Sequence, residues 1–202
     1  MPLWLAAKPL VLASRSSVRH KLLEAAGVPV ETHPADLDER ALESRASSSP
    51  PGEIVKLLAR EKALSVARSQ PGRLILGADQ ILALGGKRFS KPVDRPAARA
   101  QLRALAGQTH ELHSAIAFVQ DGTVLFAHVD EARLTMRPFT DRFLGLYLEA
   151  AGSAVTASVG AYQIEGVGIQ LFERLEGDYF GILGLPLIAV LDFLRRGGYF
   201  VS

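Results

Sequence analysis

The sequence predicts an α/β fold built on a mixed sheet, and three observations carry that prediction. Short apolar runs of strand length occur at residues 10–13, 28–33 and 74–84, with stretches of helical spacing between them. Two longer runs, 109–119 and 123–136, alternate in strand fashion around Gln120-Asp121-Gly122, a hairpin signal. Crossovers and hairpins in one chain imply parallel and antiparallel strands together. No internal repeat is visible, and no linker is long enough to divide independent domains, so residues 1–202 are read as one domain.

In chain order, residues 10–13 (LVLA) are a short buried strand. Ser14 follows as the expected N-cap of a helix over 15–26, which Gly27 stops. Residues 28–33 are a second strand. An acidic loop is expected at 36–40 and a mobile connection at 46–52 (ASSSPPG). A helix over 53–68 leads to the central run 74–84, LILGADQILAL, whose near-continuous apolar character predicts burial on both faces. Gly85-Gly86 turns the chain into a hairpin with Arg88-Phe89. Helices are expected over 94–106 and 140–151, each stopped by glycine. A glycine-studded stretch at 160–168 then leads into a strand over 169–175, and a helix over 185–195 closes the chain.

Composition bounds the function. The 202 residues are 48% hydrophobic and 22% charged, an ordinary globular balance with room for a sizeable core. A net charge of +2 supports neither nucleic-acid nor anionic-membrane binding. The absence of cysteine excludes disulfides, thiolate catalysis and cysteine-ligated metals, and fits a reducing compartment. Lys8-Pro9 breaks the apolar N-terminus too early for a signal peptide, and Pro186 interrupts the longest uncharged apolar stretch. A cytoplasmic protein is expected.

The chemistry centres on Asp79, one carboxylate in the middle of the apolar run. An ionised carboxylate there costs several kcal/mol unless a cation or metal answers it; the alternative is an aspartate at a strand end beginning a turn. Ser14, Ser16 and Arg19 lie where a strand meets a helix start, which presents free N–H groups and the positive end of the helix dipole to an anion. Arg15 and Arg19, four apart, would share a helix face there; a well-capped helix with surface arginines explains the same residues. On the 53–68 helix, Ile54, Val55, Leu58 and Val66 span roughly 120° of arc and Lys62 falls inside it, near 80°. Lys62 therefore either snorkels over the core or meets a buried anion, with Asp79 or a phosphate as candidates. Asp38, Glu39, Asp79 and Glu165 are oxygen donors of the kind that Mg²⁺ takes alongside substrate phosphates. His110 and His113, three apart on a strand, point to opposite faces and do not suggest a paired metal site. No P-loop, dinucleotide fingerprint or nucleophile elbow is present.

Together these stretches resemble the Maf family of nucleotide pyrophosphatases. The family's L-A-S-x-S-x-x-R is matched by Leu12 to Arg19, its D-E loop by Asp38-Glu39, its L-A-x-x-K-A helix by Leu58 to Ala63, and its G-A-D signature by Gly77-Ala78-Asp79, followed by Gln80. Lys91-Pro92, Gly107 to Glu111, Gly160-Ala161-Tyr162, Glu165-Gly166 and Gly184-Leu185-Pro186 follow in the family's order.

The resemblance implies a hydrolase that cuts nucleoside triphosphates between the α and β phosphates, releasing pyrophosphate, with Mg²⁺ or Mn²⁺. It implies a mixed, twisted sheet flanked by helices, in two lobes with a cleft, like the inosine-triphosphate pyrophosphatases. It also implies a homodimer. By position, Asp79 is the proton acceptor and, with Glu39, a metal ligand. Ser14, Ser16, Arg19, Lys62 and Lys91 line the phosphates, with Gln80 and Glu165 near the base. The pairs Asp79-Gln80 and Glu165-Gly166, and the run 168–177, are more similar to the 7-methyl-GTP branch than to the dTTP/UTP branch. Two departures are Ser17, where the family usually has proline, and Val18, where arginine or tryptophan is common. The competing readings are a phosphatase releasing inorganic phosphate, and a non-enzymatic nucleotide-binding regulator of cell division.

Overall fold

The computed structural model describes residues 3–201. It contains strands β1 (Leu10–Ala13), β2 (Val30–Thr32), β3 (Ile75–Leu84), β4 (Lys87–Phe89), β5 (Thr109–Gln120), β6 (Thr123–Met136) and β7 (Phe172–Glu176). The helices are α1 (Ser17–Ala25), α2 (Glu39–Arg45), α3 (Pro51–Ala67), α4 (Arg95–Leu105), α5 (Asp141–Ala151), α6 (Tyr179–Ile182) and α7 (Leu187–Arg196). Among the described residues, seven strands form one sheet in the order β2-β1-β3-β5-β6-β7, with β4 paired to β3. β1 runs parallel to both β2 and β3, whereas β3–β4 and β6–β7 are antiparallel, so the sheet is mixed as expected.

The described residues fall into two compact units. The first comprises the chain up to Gln80, Ser114–Asp130 and the chain from Asp178. Its strands alternate as a half-turn repeat requires. Leu10, Leu12, Leu74, Leu76, Ala78, Ile116 and Phe118 join a core with Leu23 of α1 and Leu187, Val190 and Leu194 of α7. Val11, Ala13, Ile75 and Val119 face the other way, with Ala63, Val66 and Ala67 of α3. Burial on both faces is why the central run lacks polar alternation.

The second unit comprises Ile81–His113 and Glu131–Gly177. Ala98, Leu102 and Leu105 of α4 and Leu144, Tyr147 and Leu148 of α5 are buried there. So is His110, whose Nε2 lies 2.8 Å from Tyr162 Oη. Burial lowers the His110 imidazole to about 4 and raises the Tyr147 phenol to about 12. His113 instead meets Glu111 at 3.2 Å, consistent with the two histidines facing opposite ways. Among the described residues, no helix is long and apolar enough to cross a membrane.

Four local expectations are corrected. The first helix is capped by Ser16, whose Oγ accepts the Arg19 N–H at 3.4 Å; Ser14 Oγ takes the Ser16 N–H at 3.2 Å instead. Arg15 therefore precedes the helix and is exposed, and it shares no helix face with Arg19. The acidic segment at 36–40 is not all loop: Asp38 Oδ1 accepts the Ala41 N–H at 3.0 Å and starts α2, with Glu39 in its first turn. The strand expected at 169–175 begins only at Phe172, after a 3₁₀ helix over Val167–Leu171. There the backbone of Gly168 packs so tightly on Gln163 that a Cβ would overlap its carbonyl oxygen. The one-turn helix α6, begun by the Asp178 cap on Gly181 N–H, is an element that the sequence reading did not include.

Candidate functional site

The chain order β1-α1-β2-α2-α3-β3 with sheet order β2-β1-β3 makes a topological switch between β1 and β3. Helices α1 and α3 pack on opposite faces there, the arrangement that leaves a crevice beyond the carboxyl ends of the strands. The last β1–β3 pair is Ala13 with Gly77. Asp79 lies two residues further on, where β3 has outrun β1.

Gly77 brings Asp79 close to α3. A Cβ at this position would overlap the Ala59 carbonyl oxygen and come within 2.9 Å of Ala63 Cβ, so only glycine lets strand and helix meet this closely. One turn along, Lys62 reaches back to the strand. Its Nζ lies 3.3 Å from Asp79 Oδ1 and 3.0 Å from Glu39 Oε2, with the lysine side chain 11% exposed and that of Asp79 13%. The lysine in the apolar arc thus meets a buried anion and does not snorkel. Asp79 Oδ1 also accepts the Gln80 N–H at 2.9 Å.

On the opposite face, Arg19 is buried, and its partners are neutral oxygens. Nε donates to Gly184 O at 2.7 Å, and Nη1 donates to Ser14 Oγ at 3.0 Å and Ala78 O at 2.8 Å. Burial lowers the guanidinium from its ordinary value, while Asp79 and Glu39 act to raise it. These bonds use Nε and Nη1, leaving Nη2 as the nitrogen they do not engage. Gln80 Nε2 donates to Ser114 Oγ at 3.0 Å, Ile182 O at 3.0 Å and Gly181 O at 3.3 Å.

The structure therefore gathers Ser14, Ser16, Arg19, Glu39, Lys62, Asp79 and Gln80 in the first unit, around the end of β1 and the middle of β3. Asp79 and Gln80, adjacent on one strand, turn to opposite faces. Lys91, in the loop after β4, and Glu165, in the turn after Tyr162, are exposed and belong to the second unit. Ser114 and the carbonyls of residues 181–184 escaped the sequence reading. A hydroxyl residue inside the otherwise apolar end of β5 was the available signal for Ser114.

Among the described residues, no cluster of three or more His, Asp or Glu side chains is arranged to hold a metal. Glu39 and Asp79 do supply two hard carboxylates on one cation, Lys62. That donor set suits a divalent ion that takes one or two carboxylates and completes its shell with substrate phosphates and water.

A family model described as Maf-like protein matches residues 9–197. A nucleoside triphosphate pyrophosphatase from Rhodopseudomonas palustris (strain HaA2) is 55% identical over 195 residues, covering 96% of each chain. One from Bradyrhizobium diazoefficiens is 54% identical with the same coverage. A 7-methyl-GTP pyrophosphatase from Rhizobium etli is 48% identical over 191 residues, covering 94% of this chain and 96% of its own. A solved nucleoside-triphosphatase (dITP/XTP pyrophosphatase) from Mycobacterium abscessus is 17% identical, covers 93% of this chain and 100% of its own, and superposes with a TM-score of 0.43.

Proposed function

The chain belongs to the Maf-like protein family, and from that premise we propose that it is a nucleoside triphosphate pyrophosphatase, with 7-methyl-GTP as its favoured substrate. The observation that carries this reading is the Lys62–Asp79 pair, 3.3 Å apart just beyond the end of β1. The first-turn N–H groups of α1, Arg19 Nη2 and Lys62 offer positive partners to a phosphate chain. Asp79 takes a proton from the attacking water. As the water oxygen bonds to the α-phosphorus, the bond from that phosphorus to the oxygen bridging it to the β-phosphorus breaks. Pyrophosphate departs with the bridging oxygen, and the water oxygen stays on the nucleoside monophosphate.

Charge balance supports a metal requirement. Arg19 and Lys62 are matched by Asp79 and Glu39, so these four side chains leave a triphosphate's negative charge unanswered. Glu39 and Asp79 would hold Mg²⁺ or Mn²⁺, which when bound supplies Lewis-acid stabilisation of phosphate charge. The preference for 7-methyl-GTP is supported by the Rhizobium etli relative and by Asp79-Gln80 and Glu165-Gly166. The proposal includes a homodimer, which the family resemblance implies, acting in the cytoplasm, as the N-terminus broken at Lys8-Pro9 leads one to expect.

Products from a panel of ATP, GTP, dTTP, UTP and 7-methyl-GTP test the reading. Pyrophosphate and monophosphate should appear in equal amounts, with the highest kcat/KM for 7-methyl-GTP. Release of inorganic phosphate as the primary product would identify a phosphatase. Nucleotide binding without turnover would favour the non-enzymatic regulator.

A further inference from the structure

We propose that the segment from Asp178 to Gly184 is the positioning element for Arg19, latched to the sheet by the buried hydroxyl of Ser114; this rests on Arg19 being a phosphate contact of the proposed reaction. Helix α6 is a single turn, too short to be stable alone, yet both of its ends are tied. Asp178 Oδ1 accepts the Gly181 N–H at 2.8 Å. At the other end the Gly184 N–H bonds to Gly181 O at 2.9 Å and the Leu185 N–H to Phe180 O at 3.0 Å, with Gly184 at φ +90°. This is the paired closure of a helix by a left-handed glycine.

A helix end leaves carbonyls without intrahelical donors, and here three side chains from elsewhere in the first unit supply donors. Ser114 Oγ donates to Gly181 O at 2.7 Å and accepts from Gln80 Nε2, which also donates to Gly181 O and Ile182 O. Arg19 Nε donates to Gly184 O. Gly184 O thus sets one edge of the guanidinium, while Ser14 Oγ and Ala78 O set the other. Where Gly184 stands decides where Arg19 Nη2 points. Two glycines favour this placement. A Cβ on Gly181 would come within 3.2 Å of Asp130 Oδ2, which would have to give way, and Gly184 is held at φ +90°, a conformation that side chains rarely adopt.

Ser114 is 1% exposed and cannot itself meet a ligand; it acts through the segment. Binding of inorganic tripolyphosphate, measured by calorimetry, isolates the phosphate contacts from the base and from turnover. Ser114→Ala should weaken tripolyphosphate binding roughly tenfold, and Ser114→Thr, which keeps the hydroxyl, should restore most of it. In an Arg19→Lys background, Ser114→Ala should add less than about twofold, because residues acting through one contact are not additive. Unchanged binding in Ser114→Ala, or independent additive losses, would overturn the proposal while leaving the pyrophosphatase reading standing. Failure of the wild type to release pyrophosphate would instead strike the reading on which both depend.

Discussion

Gly77 and Ala59 meet backbone to backbone, with no room for even one methyl group between strand β3 and helix α3. That closeness brings Lys62 of the helix within 3.3 Å of Asp79 on the strand. A glycine with no chemistry of its own therefore sets the distance on which the site depends.

Gly77→Ala should separate β3 from α3. Overpacking a core contact typically costs about 1–3 kcal/mol, and the clash is with a carbonyl oxygen that cannot rotate away, which places this change at the upper end. For a chain of this size that corresponds to a fall in thermal midpoint of roughly 6–12 °C. Scanning calorimetry measures it, and pyrophosphate release should fall with it. A variant of unchanged midpoint would mean that β3 and α3 are less closely packed.

Asp79→Asn keeps the shape of the side chain and the acceptor for the Gln80 N–H, but removes the charge and the proton-accepting capacity. The expected result is a drop in kcat of about 10²–10⁴-fold, the usual contribution of a positioned general base. Circular dichroism should show the native fold retained. Wild-type turnover would reject the assignment.

Removal of divalent metal by a chelator should abolish pyrophosphate release, and Mg²⁺ or Mn²⁺ should restore it. The physical reason is the near-neutral balance of Arg19 and Lys62 against Asp79 and Glu39. Glu39→Gln should raise the metal concentration needed for half-maximal rate. Full activity in excess chelator would refute the metal requirement.

His110 makes stability fall with acid. Burial holds its imidazole at about 4 against an ordinary 6.5, so the unfolded chain takes up the proton first as pH falls. The folded state should lose about 3 kcal/mol as pH falls from above 6.5 through 4 on this account, and the loss from this group levels off once pH is below the folded value. Denaturant unfolding across the window measures the slope. His110→Gln, which does not titrate, should have a correspondingly flatter profile.

Much of the architecture was legible because it is local. The burial of the β1 and β3 runs, the Gly85-Gly86 and Asp121-Gly122 turns, and the helix stops at Gly27, Gly107 and Gly152 each depend on neighbours within a few residues. The position of Lys62 was legible for the same reason: helical geometry alone puts it in the apolar arc, but whether it snorkels or meets an anion was decided by its contacts with Asp79 and Glu39. The misreadings were contests between local signals. Ser14 and Ser16 both suit a cap, and Asp38 reads equally as loop or helix start until its side chain meets Ala41 N–H. Which groups answer one another was settled only by the tertiary structure, because Asp79 and Lys62 are brought together by a strand-helix contact, and Arg19 is aimed by a carbonyl 165 residues away. Sequence periodicity assigns a side chain to a face; the partner on that face is chosen by packing, which depends on the whole chain at once.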